Sequence, residues 1–207
     1  MKPSLRKRLF AWMLKKSDAL NHQIYGPYKK NLFRDLDGLV VEIGPGTGVN
    51  FKYFPSGIKW IGIEPNPAFH ETLEEKALEA GINAKILTGD ALNIPLTDNS
   101  ADALICTLVL CSVKNPKAVI SELKRVLKPG GKLVFIEHVA EPKKTSLRIA
   151  QNLFNPINRL VADGCNCNRE TWTLIENAGF EKVNLSHEKL KGTFKLNSPH
   201  IFGYTVK

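Results

Sequence analysis

The sequence predicts a doubly wound parallel α/β sheet, and three observations carry that expectation. Short apolar, β-branched runs alternate with helix-like segments from residue 39 to residue 138. The first run, Leu39-Val40-Val41-Glu42-Ile43, leads directly into Gly44-Pro45-Gly46-Thr47-Gly48, a strand ending in a glycine loop that a ligand can approach closely. Glu64 then stands 20 residues after Gly44, at the end of the second run. An acid in that place can accept hydrogen bonds from both hydroxyls of a ribose.

In chain order, Pro3 suits a helix start, and Leu5, Leu9, Trp12, Met13 and Leu20 recur at helical spacing. Arg6, Lys7, Arg8, Lys15 and Lys16 fall on or beside the other face, so residues 1–34 read as a basic amphipathic helical segment ahead of a main domain at 35–207. Residues 21–30, with Tyr25-Gly26-Pro27-Tyr28, read as a turn and then a second short helix. A helix is expected over 49–54, stopped by Pro55-Ser56-Gly57, and a second strand over 59–63. A helix over 67–80 ends at Gly81, and 83–88 is a third strand. Residues 101–110 begin as a buried strand, Asn115-Pro116 opens a helix running to 127, and Lys128-Pro129-Gly130-Gly131 turns into a fifth strand at 132–137. An inserted helical segment at 143–160, a helix at 169–178 and two strands at 181–188 and 200–206, arranged as a hairpin with a long connection, complete the chain.

The glycine loop departs from the dinucleotide fingerprint, which needs glycine at its first, third and sixth positions. Here these are Gly44, Gly46 and Val49. Glu42, two residues before the first glycine, is a poor neighbour for a pyrophosphate and a good partner for a ligand ammonium group. Together with Glu64 the loop points to an adenosine-type ligand.

The chain's 207 residues suffice for one sizeable core, and 43% hydrophobic with 24% charged residues is ordinary for a globular protein. Charge is unevenly spread. Residues 1–34 hold nine basic side chains against Asp18 alone, which is +8 of the total of +9. That asymmetry suggests an anionic partner. Without a base-stacking motif, nucleic acid is not expected. The apolar run at 9–14 is six residues long, ends in Lys15-Lys16 and has no cleavage site after it, so it is neither a signal peptide nor a bilayer span. Residues 1–20 suit peripheral contact with an anionic membrane. Four cysteines make no disulfide framework here and imply a reducing, cytoplasmic compartment. Cys165 and Cys167 form a pair with no second pair at zinc-finger spacing, and no metal is expected.

Taken as a set, Glu42-x-Gly44-x-Gly46-x-Gly48, Glu64, Gly89-Asp90-Ala91 and Leu127-Lys128-Pro129-Gly130-Gly131 resemble the class I S-adenosylmethionine-dependent methyltransferases. The resemblance implies their Rossmann-like fold, a seven-stranded, mostly parallel sheet whose last strand is antiparallel. A closer resemblance, to the membrane-associated thiol S-methyltransferases of the methyltransferase-like group, rests on residues 106–115, Glu137-His138-Val139-Ala140, Asp163-Gly164-Cys165-Asn166, Arg169-Glu170-x-Trp172 and Pro199-His200-Ile201-x-Gly203-Tyr204. Those enzymes carry a hydrophobic N-terminal anchor where this sequence is basic and amphipathic, and usually a cysteine where it has Pro45.

The resemblance implies S-adenosylmethionine as cofactor and assigns the residues that hold it. Glu42 and the backbone of Gly44, Pro45, Gly46 and Gly48 would receive its methionine part. Glu64, with Pro65 beside it, would take the ribose. Asp90 and Ala91 would take the adenine, and Thr107 and Leu108 would lie near the sulfonium. Methyl transfer is an in-line displacement that asks the protein for alignment and a dry site. A thiol acceptor must react as thiolate, and an unperturbed thiol titrates near ~8.5. His138, just past the fifth strand, is therefore the candidate base. Asp163, Asn166, Arg169 and His200 would line the acceptor pocket, and Trp12, Tyr25 and Tyr28 would roof it or join the core. Cys111, Cys165 and Cys167 read as packing or loop residues. A site methylating arsenite, which would use several cysteines, stays open at this point. So does a methyltransferase acting on a membrane lipid or quinone, for which the basic N-terminus speaks.

Overall fold

A computed structural model describes residues 3–207; Met1 and Lys2, which belong to the expected N-terminal helix and its basic charge, lie outside the described residues. Two N-terminal helices, α1 (Leu5–Lys16) and α2 (Asp18–Phe33), precede the sheet. Next come β1 (Leu39–Ile43), β2 (Lys59–Ile63), α3 (His70–Glu79), β3 (Asn83–Leu87), β4 (Ala101–Thr107), α4 (Pro116–Val126) and β5 (Leu127–His138). The chain closes with α5 (Ser146–Val161), α6 (Thr171–Glu176), β6 (Lys182–Lys189) and β7 (Pro199–Val206). The seven strands lie in the order β3-β2-β1-β4-β5-β7-β6. β7 runs opposite to the other six strands and so pairs antiparallel with both β5 and β6. The strand order reverses between β1 and β4, and this places a crevice at their C-terminal ends, beyond Ile43 and Thr107.

Burial on both sheet faces explains the mostly apolar runs of β1, β4 and the C-terminal half of β5. One core gathers Val41, Leu104, Leu133 and Phe135 against the α4 stripe Val119, Ile120, Leu123 and Val126; the other gathers Val40, Ile105 and Val134 against Phe33, Trp60 and Leu73. The α4 stripe repeats at helical spacing, and Asn115 caps the helix by accepting from the Ala118 N–H.

Three local expectations give way. Residues 49–54 make only a 3-10 turn, Phe51–Tyr53, because Pro55 forces Phe54 into an extended conformation and leaves no room for a full helix. Conversely, Tyr25-Gly26-Pro27 does not turn, since α2 runs through Pro27. Burial overrides the proline there: Tyr25, Lys29 and Phe33, at i, i+4 and i+8, are all buried, and the Tyr28 ring stacks on Phe202 of β7 at 4.1 Å. The helix expected over 169–178 is confined to α6.

Candidate active site

The crevice beyond β1 and β4 opens into a cavity of about 700 Å³. Its floor is the glycine loop. Gly44, Gly46 and Gly48 all hold positive φ, at 60°, 56° and 73°, a region that side-chain-bearing residues enter at a cost. Gly44, Pro45, Gly46 and Thr47 line the cavity, whereas Gly48 does not; a Cβ at Gly48 would meet the Phe51 ring at 2.7 Å. The third glycine is thus needed for packing under the loop.

Two buried carboxylates face this floor. Glu64 accepts from the Gly46 N–H at 3.0 Å and the Asn66 N–H at 2.7 Å, which ties the loop to the end of β2. Burial raises its pKa, and these two bonds pull it back. Glu42 accepts from Asn50 Nδ2 at 2.7 Å and Trp60 Nε1 at 3.0 Å. Its burial pushes the carboxyl up to about 7 against those bonds and the Lys29 charge. Lys29 is itself fully buried, donates to Asn21 Oδ1 at 2.6 Å, and is pushed down to about 8 by desolvation. Asn50 lines the cavity and donates to Thr107 Oγ1 as well as to Glu42, yet its buried Oδ1 has no partner. An orphaned acceptor beside a carboxylate asks for a donor, and an ammonium group satisfies both.

The roof is α1. Arg6, Lys7, Phe10 and Leu14 line the cavity, and Leu14 Cδ2 lies only 3.1 Å from where a Cβ at Gly46 would stand. Lys7 Nζ donates to Pro65 O at 3.0 Å, and Arg6 pairs with Asp163 at 2.6 Å across the mouth. Asp18, at the start of α2, accepts from Thr47 Oγ1 at 2.7 Å and Lys76 Nζ at 2.6 Å. Trp12 stays outside, 56% exposed. Tyr25 and Tyr28 pack on β7 instead of roofing the cavity.

The far wall comes from the loops after β4 and β5. Leu108 lines the cavity with φ at 60°, an uncommon state for a branched side chain and a sign of local strain. Glu137 holds this turn: its buried carboxylate accepts from the N–H groups of Val109, Leu110 and Cys111 at 2.9, 2.8 and 3.1 Å. His138, Cys111, Asp163 and Cys165 reach the same cavity. His138 Nδ1 lies 3.4 Å from Cys165 Sγ. A hydrogen bond with Cys111, and His138 beside it, draw the Cys165 thiol down, and the same contact pushes Cys111 up.

A methyltransferase domain model matches residues 41–135. Thiol S-methyltransferase TMT1A of Homo sapiens is 36% identical over 97% of this chain and 87% of its own length. Thiol S-methyltransferase TMT1B of Rattus norvegicus is 36% identical over 99% and 85%. The chain belongs to the thiol S-methyltransferase family. The sheet also superposes on a SAM-dependent methyltransferase of Thermotoga maritima with a TM-score of 0.69 at 22% identity, covering 97% of this chain and 98% of that one.

As a member of that family the chain is an S-adenosylmethionine-dependent methyltransferase with the class I fold, and the cavity fits this cofactor. Buried carboxylates at Glu42 and Glu64 and the orphaned Asn50 Oδ1 suit a ligand carrying a sulfonium and an ammonium. Of the residues singled out in the sequence for the cofactor, Glu42, Gly44, Pro45, Gly46, Glu64, Pro65, Thr107 and Leu108 share the cavity wall. Asp90 and Ala91 are not on it, and Asp90 Oδ1 accepts from the Leu92 N–H.

The acceptor residues divide as well. Asp163 reaches the cavity, but Asn166, Arg169 and His200 do not. Asn166 spends its amide on Cys111 O and Gly164 O, and Arg169 donates to Leu110 O and Val113 O. Both therefore fasten the wall from behind. His200 is fully buried and pushed down to about 3, first by desolvation and then by the His138 charge. Its Nδ1 faces Ser198 O at 2.9 Å, so that nitrogen carries the proton and Nε2 accepts from Tyr25 Oη. Sequence reasoning passed over Asp18, Lys29, Asn50 and Glu137 as site residues; only Glu137, an acid inside an otherwise apolar strand, left a trace that could have marked it.

Proposed function

We propose that the chain transfers a methyl group from S-adenosylmethionine to the sulfur of a small hydrophobic thiol. The observation that carries this reading is the far wall of the cavity, which combines apolar Leu108, Val109, Val113 and Ala162 with a single imidazole, His138. When bound, the cofactor supplies the methyl group on a sulfonium. Glu42 and Asn50 Oδ1 hold its ammonium, the backbone of Gly44 to Gly46 its methionine part, and Glu64 its ribose. His138 draws the acceptor proton away and favours the thiolate. Leu108 and Thr107 set the line of approach, and the α1 roof keeps water out.

The assignment of Glu64 carries its own prediction. Glu64→Ala is expected to weaken cofactor binding by roughly 1.5–3 kcal/mol, the scale of a lost hydrogen bond to a charged group. Titration calorimetry checks it; wild-type affinity would mean the ribose lies elsewhere.

Hydrophobic acceptors are richest in membranes, and the surface beside the mouth suits one. No helix among the described residues is long and apolar enough to cross a bilayer. Instead α5 turns Ile149, Leu153, Ile157 and Leu160 outward as a stripe, bordered by exposed Lys143, Lys144 and Arg159. On α1, Leu5, Leu9, Trp12 and Met13 are exposed among its lysines and arginines. Apolar side chains ringed by cations suit the interface of an anionic bilayer. One assay tests both parts: the enzyme is given the cofactor and a graded series of alkyl and aryl thiols, with and without phosphatidylserine vesicles. Methyl thioethers are expected, in higher yield with the longer thiols when vesicles are present. No methylated thiol above background would end the reading, and yields indifferent to vesicles would end its membrane part.

A further inference from the structure

Three side chains at the acceptor end of the cavity converge without a fold-level reason to do so. Cys111 follows β4, His138 ends β5, and Cys165 lies in the loop between α5 and α6. Cys111 Sγ, Cys165 Sγ and a ring nitrogen of His138 all lie within 4.8 Å of one another. Ligand atoms around a tetrahedral zinc ion, bound at about 2.3 Å by sulfur and about 2.0–2.1 Å by nitrogen, sit about 3.5–3.8 Å apart. His138 Nδ1 and Cys165 Sγ are already 3.4 Å apart.

We propose that Cys111, His138 and Cys165 form a three-ligand Zn²⁺ site whose open fourth position, facing the cavity, takes the sulfur of the acceptor thiol. The chemistry of the donor set favours this ion, because two cysteines and one histidine with a vacant position is a pattern of catalytic zinc. All four cysteines of the chain are free. The three residues are also held from outside, as ligands need to be. Glu137 fixes the Cys111 N–H, and Asn166 donates to Cys111 O at 2.9 and 3.1 Å through its backbone and side chain. Asn158 Nδ2 donates to Cys165 O at 2.8 Å, and His138 is locked in register with His200 of β7. Cys167 points away, with its sulfur near Gln151 O and Asn155 Oδ1.

The inference rests on the thiol-methylating reading and replaces the proton transfer to His138 with ionisation on the metal. An acceptor R–SH binding at the open position loses its proton to solvent as the Zn–S bond forms. The thiolate sulfur then forms its bond to the methyl carbon while the carbon–sulfur bond of the sulfonium breaks. The products are R–S–CH₃ and S-adenosylhomocysteine, and the neutral thioether, a weaker ligand, leaves. In this scheme His138 acts as a ligand and the metal, in its place, makes the thiolate.

The test reads metal rather than turnover. Full-length protein, kept reduced and with its free thiols counted, is equilibrated with Zn²⁺ and measured by elemental mass spectrometry, and a parallel sample is loaded with Co²⁺. One metal ion per chain is expected, with intense sulfur-to-cobalt charge transfer and tetrahedral visible bands. Loss of an outer-sphere partner alone costs about 10–100-fold in affinity. Cys111→Ser and Cys165→Ser are therefore expected to lose at least about 100-fold, while Cys167→Ala retains the metal and the spectrum. Circular dichroism and cofactor binding establish that each variant is folded. Substoichiometric zinc in folded wild type, or cobalt spectra unchanged by Cys165→Ser, would overturn the site. Failure here with thiol methylation intact leaves the proposed function standing; zinc binding without thiol methylation leaves the three-ligand site standing but overturns its role toward an acceptor thiol.

Discussion

Replacing Glu137 with alanine is expected to destabilise the fold by about 3–6 kcal/mol, from two buried N–H groups and one half-buried one orphaned at about 1–3 kcal/mol each with partial relief by water. Those groups belong to Val109, Leu110 and Cys111, the turn that carries β4 into the cavity wall. The carboxylate lies wholly inside the protein, and its own burial pushes it up to about 7, so part of the loss is offset by no longer hiding a charge. Glu137→Gln is the graded control. Its remaining oxygen still serves one side of the turn, but its amide N–H₂ opposes an N–H on the other, and an intermediate loss is expected. Urea denaturation at constant slope measures both. A midpoint for the alanine variant equal to that of wild type would show that the turn does not depend on this anchor.

Glu42→Gln is expected to move stability and cofactor affinity in opposite directions. The folded carboxyl titrates near 7 against an ordinary value of 4.5, so between those limits the folded chain holds a proton that the unfolded chain has released. Stability therefore falls as pH rises through that window and levels off above it, by an amount on the order of 3 kcal/mol for this one group. Glu137 adds to this fall over the same range, while His200 and Cys165, both held down in the folded chain, oppose it, so the Glu42 contribution is read as the difference between wild type and variant. Glutamine is accommodated because Asn50 can rotate its amide and offer its unpartnered Oδ1 to the new N–H₂. At pH 8.5 the variant should be the more stable protein and the weaker binder of the cationic cofactor. Cofactor binding to wild type should release a proton below pH 7 and tighten as pH rises to that value, and this dependence should be lost in the variant. Denaturation series from pH 5 to 8.5, and calorimetry in two buffers of different ionisation enthalpy, measure these effects. A difference in stability between wild type and variant that does not change with pH across that range would refute the assignment.

Both carboxylates show what a sequence can and cannot display. Glu42 was legible because it interrupts an apolar strand immediately before a glycine loop, and Glu64 because it stands at a fixed distance after that loop. Local chemistry of this kind, with the alternation of strands and helices, was enough for the five parallel strands from β1 to β5 and for the floor of the cavity. The rest depends on residues far apart in the chain. Lys29 looks like one more surface lysine until α2 is seen to bury it near Glu42. Asn50 sits in a segment whose helical pattern was cut short by Pro55. Asn166 and Arg169 carry the right chemistry for an acceptor pocket, but the carbonyls of the loop after β4 claim their donors first. Cys111, His138 and Cys165 come from three separate segments, so no spacing rule could join them.

The roof helix has a consequence for the speed of the enzyme. Although α1 covers the glycine loop through Phe10 and Leu14, none of its residues is buried, and its polar ties are the exposed Arg6–Asp163 pair and two hydrogen bonds of Lys7, to Pro65 O and from Asn66. An exposed pair of that kind contributes only about 0–1 kcal/mol. The sheet beneath is held by strands paired on both sides, so the element with least to lose by lifting is the one that encloses the cofactor. Each cycle must exchange a spent cofactor for a fresh one, and the cheapest way out runs under α1. Substitutions at the exposed positions of α1, such as Leu5 and Leu9, are therefore expected to change how long the cofactor stays in the chamber more than the chemistry below, and stopped-flow cofactor release measures this.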